Sequence, residues 1–335
     1  MAGKRASSSS VPELPLPSPE LYAEALALAE QAPLPALWRG VRFGTAGWAD
    51  PSLSRGALFY PKAAKTPEGR LRHYAEHFQL VEVDATYYAL LATETVRRWV
   101  DWTPANFCFD VKAHPVFTKH PLDRRRLPPE LAQAIPETSG TSRIEVDALP
   151  QEITTELEHR FLASISPLVE AGRLKSILVQ FPPWFDATRG HARHIESLRA
   201  RYPEAPFSVE FRHKSWLLPE RRAKVIDLLR AQHLPYVVVD EPDTPRGGVP
   251  PLPLVTSSRL SVVRFHGQNR GAWLNARATV AERFNYLYAN AELAAWTETV
   301  RRLSDQADEV HAVFNNCVRN YAILNAKGLA ALLQQ

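Results

Sequence analysis

Leu80-Val81-Glu82-Val83-Asp84-Ala85-Thr86-Tyr87-Tyr88 is a short apolar run that passes into alternating carboxylates and ends in two rings. Side chains alternate between faces along an extended chain, so Glu82 and Asp84 share one face and Val83 takes the other. The run is short and rich in β-branched residues, which reads as a strand whose polar end carries a turn. Runs of the same kind recur at residues 41–44, 107–113, 176–181, 207–211, 236–240, 260–265 and 310–315, making eight with 80–85. Helical patterns lie between and after them, at 69–77, 93–101, 152–171, 190–200, 219–231, 292–306 and 321–333. Strands alternating with helices predict parallel βαβ units. Eight such units predict an α/β fold of one closed (β/α)8 (TIM) barrel. An open doubly wound sheet is the alternative, but no strand runs into the G-x-G-x-x-G or G-x-x-x-x-G-K-[ST] loops such sheets use for phosphates.

Outside this rhythm the chain divides simply. Ser7 to Ser10 and Pro12, Pro15, Pro17 and Pro19 leave residues 1–20 too little apolar surface to offset ordering entropy, so they are expected to form a flexible tail. A helix over 20–31, stopped by Pro33 and Pro35, fills the segment 21–38 with a linker. The barrel is expected over 39–335, with an insertion at about 115–152 after the third strand and a Pro-rich loop at 242–253 after the sixth. Of the 335 residues 45% are hydrophobic and 23% charged, which excludes a disordered chain. Two cysteines, Cys108 and Cys317, are too few for a disulfide scaffold or a four-cysteine zinc site. No apolar run has the length of a membrane span. With 40 basic and 36 acidic residues the charge is too balanced to point to nucleic acid. The expectation is a soluble cytoplasmic protein.

Function in such a barrel collects at the carboxyl ends of the strands. Four ends carry polar-apolar-polar triplets: Glu82-Val83-Asp84, Asp110-Val111-Lys112, Glu210-Phe211-Arg212 and Arg264-Phe265-His266; Gln180, Asp240 and Asn315 end three more. These charges could simply plug the barrel as internal ion pairs. Buried pairs stabilise less than an apolar filling, however, so this number of them argues for a site. Trp48, Tyr87, Tyr88, Trp184, Trp216 and Trp273 follow strand ends and would line the mouth with rings. Glu82, Asp84, Glu210, His213, Asp240 and His266 could offer metal ligands, yet Lys112, Arg212 and Arg264 among them favour an anion, so no metal or other cofactor is expected. Asp84 and Glu210 on separate strands could act as the two carboxylates of a glycosidase. Cys317 has no histidine partner implied by spacing. Gly44 and Gly47 suggest a turn where the backbone approaches a ligand.

These motifs together resemble the DUF72 (YecE-like) family. The matching pieces are Gly44-Thr45-Ala46-Gly47-Trp48, Phe59-Tyr60-Pro61, the 81–88 run, Phe109-x-x-Lys112 and Gln180-Phe181-Pro182-Pro183. Glu210-Phe211-Arg212-His213-x-Ser215-Trp216, Arg264-x-His266-Gly267, Phe314-Asn315-Asn316 and Tyr321-Ala322-x-x-Asn325-Ala326 complete them, spanning about 40–330 in family order. The resemblance implies a TIM barrel and brings no established activity. Its likeness in shape to endonuclease IV and sugar isomerases suggests nucleic acid or sugar ligands only by analogy. Two positions depart from the family pattern: Ala46 stands where Ser is common, and Asp84 where Asn is frequent.

The leading functional expectation is an enzyme of hydrolase or isomerase type, without redox cofactor, acting on a phosphorylated sugar or nucleotide-like anion. Lys112, Arg212 and Arg264 would hold the anion. Gln180 and Asn315 would orient the substrate, with Trp48, Tyr87, His213, Trp216, Asp240 and Asn316 beside them. Glu82, Asp84, Glu210 or His266 would supply acid and base. A nucleic-acid binder or nuclease is the second expectation, on the basic run Lys119, His120, Arg124, Arg125 and Arg126 and the loop rings. A non-catalytic ligand sensor is the third.

Overall fold

The structure is a computed structural model that describes residues 14–54, 58–136, 142–244 and 248–335. Each of the eight apolar runs is a strand: β1 (Val41–Thr45), β2 (Leu80–Val83), β3 (Cys108–Lys112), β4 (Leu174–Gln180), β5 (Phe207–Glu210), β6 (Val237–Asp240), β7 (Ser261–Phe265) and β8 (Val310–Phe314). The helices are α1 (Pro19–Ala29), α2 (Pro67–His77), α3 (Thr93–Trp102), α4 (Gln151–Ser164), α5 (Arg189–Arg201), α6 (Pro219–Ala231), α7 (Asn290–Ser304) and α8 (Tyr321–Gln334), joined by shorter turns. The single helix expected over 152–171 is broken. Ile165 leaves helical geometry and a separate turn, Ser166–Glu170, starts with Pro167 near its first position, where the missing N–H of proline does no harm.

This is an α/β fold built on two sheets. β1, β8, β7 and β6 run parallel in one, edged by the antiparallel pair Leu37–Trp38; β2, β3, β4 and β5 run parallel in the other. Single parallel bridges cross both gaps between the sheets, Ala46 to Glu82 and Val209 to Tyr236. Strands buried on both faces need apolar side chains throughout, and β6, Val237-Val238-Val239 before Asp240, is buried along its whole length.

Rings stack along the outer faces of the strands, and Phe265 also meets Trp296 of α7 edge-on at 5.0 Å. Phe211 stacks on Trp216 at 4.4 Å and Phe181 on Phe185 at 3.9 Å, while Phe265 stacks on Phe314 at 4.3 Å. α8 packs against α1, α7 and β1. Of the expected tail, residues 1–13 lie outside the described residues. Leu14 packs with Leu21 and Tyr22 on a small cluster around Ala25 and Leu324, and Asn285 donates to the Pro15 carbonyl at 2.9 Å. The insertion after β3 forms a small antiparallel pair, Leu122–Asp123 with Arg143–Ile144, and a short helix, Pro129–Ala134.

Gly44 has a different reason from the one its motif suggests. A Cβ there would stand 2.3 Å from the carbonyl oxygen of Leu80, so glycine lets β1 approach the backbone of β2 rather than a ligand. Gly47, by contrast, has open space and a φ of +105°, the left-handed conformation that glycine adopts most readily. Gly44→Ala should therefore lower stability by about 1–3 kcal/mol or more, as overpacking does. A urea midpoint equal to wild type would contradict the close approach.

Candidate functional site

Alternation along β2, β5 and β7 turns Glu82, Glu210 and Arg264 to the same interior. All three are fully buried. The Arg264 guanidinium forms a two-point pair with Glu82, Nε to Oε2 at 2.8 Å and Nη2 to Oε1 at 2.5 Å. Its Nη1 donates to Glu210 Oε2 at 2.5 Å. The planar fork of arginine suits such bidentate pairing, and no lysine could span both carboxylates in this way.

The second Glu210 oxygen gathers the neighbouring strand ends. Gln180 Nε2 donates to Oε1 at 2.7 Å and His266 Nε2 lies 3.2 Å from it. On the other side of the ring, Asn315 Nδ2 is 2.9 Å from His266 Nδ1. If the amide donates to Nδ1, the imidazole proton sits on Nε2 and points at Glu210, so the network assigns a neutral ring in one tautomer. Burial pushes His266 down to about 3 despite the pull of Glu210, which agrees with a neutral ring.

The two carboxylates on Arg264 are unequal. Burial would raise Glu210, but Arg264, His266 and Arg212 overcome it and hold the group well below the usual range. Burial raises Glu82 to about 7 against the opposing pull of Arg264, and the charge of Asp84 adds to the rise. Glu82 is thus the more readily protonated partner. Environments that separate two carboxyl groups in this way are what acid–base chemistry requires.

Arg212 and Lys112 form the accessible edge. Arg212 Nη2 pairs with Glu241 at 2.8 Å and its guanidinium lies 5.0 Å from the Trp273 ring centroid. Burial raises Glu241 to about 7, partly offset by Arg212. Lys112 sits 4.8 Å over the Tyr87 ring, with its Nζ 3.8 Å from Asp84. His120, from the insertion, meets the edge of Tyr87 at 5.3 Å. Burial pushes it down to about 4, and the charges of Lys112 and Arg212 act in the same direction.

Several expected site residues lie elsewhere. Asp84 faces Lys112, and it is Glu82 that shares Arg264 with Glu210. Trp216 is buried between Phe211 and Phe185, with its indole N–H on the Phe185 carbonyl, and so belongs to the outer shell. Trp48 is likewise buried, edge-on to Trp99 at 5.2 Å. Asn316 is buried and donates to the Tyr286 carbonyl and to Asn325. His213 Nδ1 turns back to Ser215 Oγ at 2.7 Å. Asp240 accepts from Tyr288 at 2.5 Å and from Gln268 at 2.7 Å, and burial raises its carboxyl above the usual range. Asp110 points toward the amino ends, where its Oδ2 meets His311 Nδ1 at 2.8 Å. Burial opposes charge on His311, but Asp110 and Glu309 raise its pKa well above the usual value. Arg264, expected to hold an anion, is enclosed, with its guanidinium on Glu82 and Glu210 and 3.4 Å from His266 Nε2.

Trp273 was expected as a mouth ring and His120 as part of the basic run, whereas Glu241 and His311 were not anticipated. Glu241 directly follows the Asp240 strand end and was the nearest to a readable signal. His311 reaches its place through strand register. An apolar groove of about 580 Å³ between Leu162, Val169, Tyr202 and Pro206 includes none of the cluster residues.

Residues 42–335 match the family model described as protein of unknown function DUF72. The chain belongs to the DUF72 family. It is 28% identical over 296 residues to the UPF0759 protein YunF of Bacillus subtilis (strain 168), covering 88% of this chain and 94% of YunF. Among solved structures, a DUF72 family protein of Thermotoga maritima MSB8 is similar at 30% identity and a TM-score of 0.69, covering 88% of this chain and 99% of that one. Another from Enterococcus faecalis V583 is similar at 28% identity and a TM-score of 0.71, covering 88% and 96%. The Gly44–Gly47 loop and the strand-end triplets of this DUF72 chain all fall within the matched region.

Two consequences can be measured. Arg264→Met leaves two buried carboxylates without their cation and should destabilise the DUF72 fold by about 3–5 kcal/mol; a urea midpoint near wild type would show that the pairing is unimportant. Glu241 has a folded pKa raised above its unfolded value, so its contribution is unperturbed below the unfolded value and becomes unfavourable as pH rises toward 7 and beyond. Glu241→Gln should therefore gain stability relative to wild type between pH 5 and pH 8, by up to about 3 kcal/mol. A difference that stays constant with pH would contradict the raised carboxyl.

Proposed function

We propose that the two sheets are halves of one closed (β/α)8 barrel and that its carboxyl-end pocket binds a small anionic substrate, of the phosphorylated-sugar or nucleotide-like class. The two bridging contacts across the sheet gaps support the closure. The observation that carries the functional reading is the layered charge: a paired Glu82–Arg264–Glu210 cluster inside, with the cations Arg212 and Lys112 at the edge. Arg264 is occupied, so Arg212 and Lys112 take the anion. Gln180 and Asn315 orient the rest of the ligand, and Tyr87 and Trp273 flank it. The protein is then an acid–base enzyme of hydrolase or isomerase type, with Glu82 exchanging the proton and Glu210 remaining ionised. Among the described residues no helix is long and apolar enough to cross a membrane.

One observation favours a nucleic-acid ligand as a second reading. Tyr88 and Trp184 are about half exposed at 49% and 48%, and Arg126 lies 5.2 Å over the Tyr88 ring. The rest of the basic run is engaged internally. Arg124 holds the carbonyls of Ala132, Ile135 and Pro136, while Arg125 pairs with Asp123 and Lys119 with Asp147.

A thermal-shift screen against phosphosugars, nucleotides and short oligonucleotides separates the readings. Ligand at about 100 times its Kd should add about 2.7 kcal/mol to stability. A small anion should raise the Tm of wild type and leave folded Arg212→Ala unmoved. A shift given only by oligonucleotides, salt-dependent and lost in Arg126→Ala, would replace this reading with the second. No shift from any anion would remove both.

A further inference from the structure

His73-Tyr74-Ala75-Glu76-His77 is an H-x-x-E-H sequence lying wholly on α2. Residues four apart on a helix stand one above the other on the same face. Tyr74 and Ala75 turn into the core, leaving the two histidines and Glu76 on the outward side. The His73 and His77 ring centroids are 4.8 Å apart. One potential ligand atom from each of His73, Glu76 and His77 lies within 4.8 Å of the others. We propose that these three residues form a binding site for a divalent transition-metal ion, with zinc as the first candidate.

Hydrogen bonding prepares His73 for that role. Its Nε2 lies 3.1 Å from the Phe59 carbonyl. A carbonyl only accepts, so Nε2 carries the proton and a neutral ring presents its lone pair at Nδ1. That nitrogen lies 3.2 Å from Glu76 Oε2. Two electron-pair donors therefore face each other, an arrangement that a proton or a metal ion between them satisfies. A backbone carbonyl on the far nitrogen is also the usual support of a ligating histidine.

His77 supplies a second, independent observation. Its Nδ1 is buried and has no hydrogen-bond partner among the described residues, although buried polar atoms are nearly always paired. The Phe59 ring lies 5.0 Å from His73 and 5.1 Å from His77, forming an apolar wall that orients both imidazoles. Two imidazoles and one carboxylate suit zinc, copper or nickel better than magnesium or calcium. Three protein ligands leave a fourth position open for water. Lys327 is close enough to act on His77 and is a charge that opposes a bound cation. None of these residues belongs to the Arg264 cluster, so the proposal stands apart from the proposed function.

The test is calorimetric titration of zinc into the full chain after chelator treatment, with Tm measured in parallel. Wild type should bind one zinc per chain at micromolar concentration and gain in Tm. Glu76 is 71% exposed along its side chain, so Glu76→Lys should fold normally and place an ammonium at the site. It should weaken zinc binding by about tenfold or more, as should His77→Gln. Glu82→Gln, in the strand-end cluster, should bind zinc as wild type does. Cobalt in place of zinc should give the visible absorption of a four-coordinate ion, lost in Glu76→Lys. The absence of saturable binding would overturn the proposal. So would zinc binding that survives Glu76→Lys, or that disappears in Glu82→Gln while the protein stays folded.

Discussion

A single guanidinium holds the two sheets to one another at their polar end. Arg264 belongs to the sheet of β1, β8, β7 and β6, while Glu82 and Glu210 stand on β2 and β5, at opposite edges of the other sheet. One side chain thus spans the interior and ties both edges of the second sheet to the middle of the first. The backbone joins those edges by single bridges only, so the charge cluster supplies contact where the ladders are thin. Removing three ions from water is expensive. Two-point pairing and the extra donors on Glu210 offset that expense without turning the cluster into a strong net stabiliser. An apolar filling would hold such a fold as well, and the retained charges are therefore better explained by what they do to their neighbours.

What they do is fix protonation and orientation outward, layer by layer. Glu210 takes Arg264 on one oxygen and Gln180 and His266 on the other. His266 is thereby set between Glu210 and Asn315, and the ring turns without freedom because both nitrogens are engaged. Arg212 then reaches past Glu210 to Glu241 and lies over Trp273. Each of these side chains leaves a different strand end, so the set exists only in the folded chain and has little slack within it. A similar logic operates at the amino ends, where His311 stands between Asp110 and Glu309, and Glu309 also meets Arg42 and Lys175. The interior charges thus form two groups, one around Arg264 and one around His311.

Much of this was legible in the sequence because strand periodicity is local. The two-residue alternation in Glu82-Val83-Asp84, Glu210-Phe211-Arg212 and Arg264-Phe265-His266 correctly turned the charged residues inward and Val83, Phe211 and Phe265 outward. Periodicity does not say how deep along the strand a residue lies or which partner it meets. Asp110 was grouped with Lys112 for that reason, yet it pairs downward with His311. Aromatics just past strand ends were ambiguous in the same way. Trp216 and Trp48 follow their strands as Trp273 does, but loop geometry folds the first two into the shell and leaves the third against Arg212. Gly44 looked like a ligand loop because its contact with Leu80 is a tertiary fact. The H-x-x-E-H run lies on α2, away from the strand ends where function collects in such a fold, so strand periodicity carries no signal for it.

The pairing of Arg264 also bears on how charge is available to a ligand. A guanidinium already bound to two carboxylates contributes little net field beyond its pocket, since the three charges largely cancel at a distance. Arg212 faces two carboxylates, Glu241 at 2.8 Å and Glu210 at 3.5 Å, and burial raises the first of them to about 7. Lys112 stands 3.8 Å from Asp84, beyond the range of a strong hydrogen bond. The edge cations are paired more loosely than Arg264: Lys112 at 3.8 Å and Arg212 at 2.8 and 3.5 Å, against 2.5 Å to both carboxylates at Arg264. His120 responds to that edge, being driven to the neutral state by burial and by these two cations together. The interior cluster and the edge are opposite electrostatic designs from the same residue types, and burial decides which of them each arginine serves.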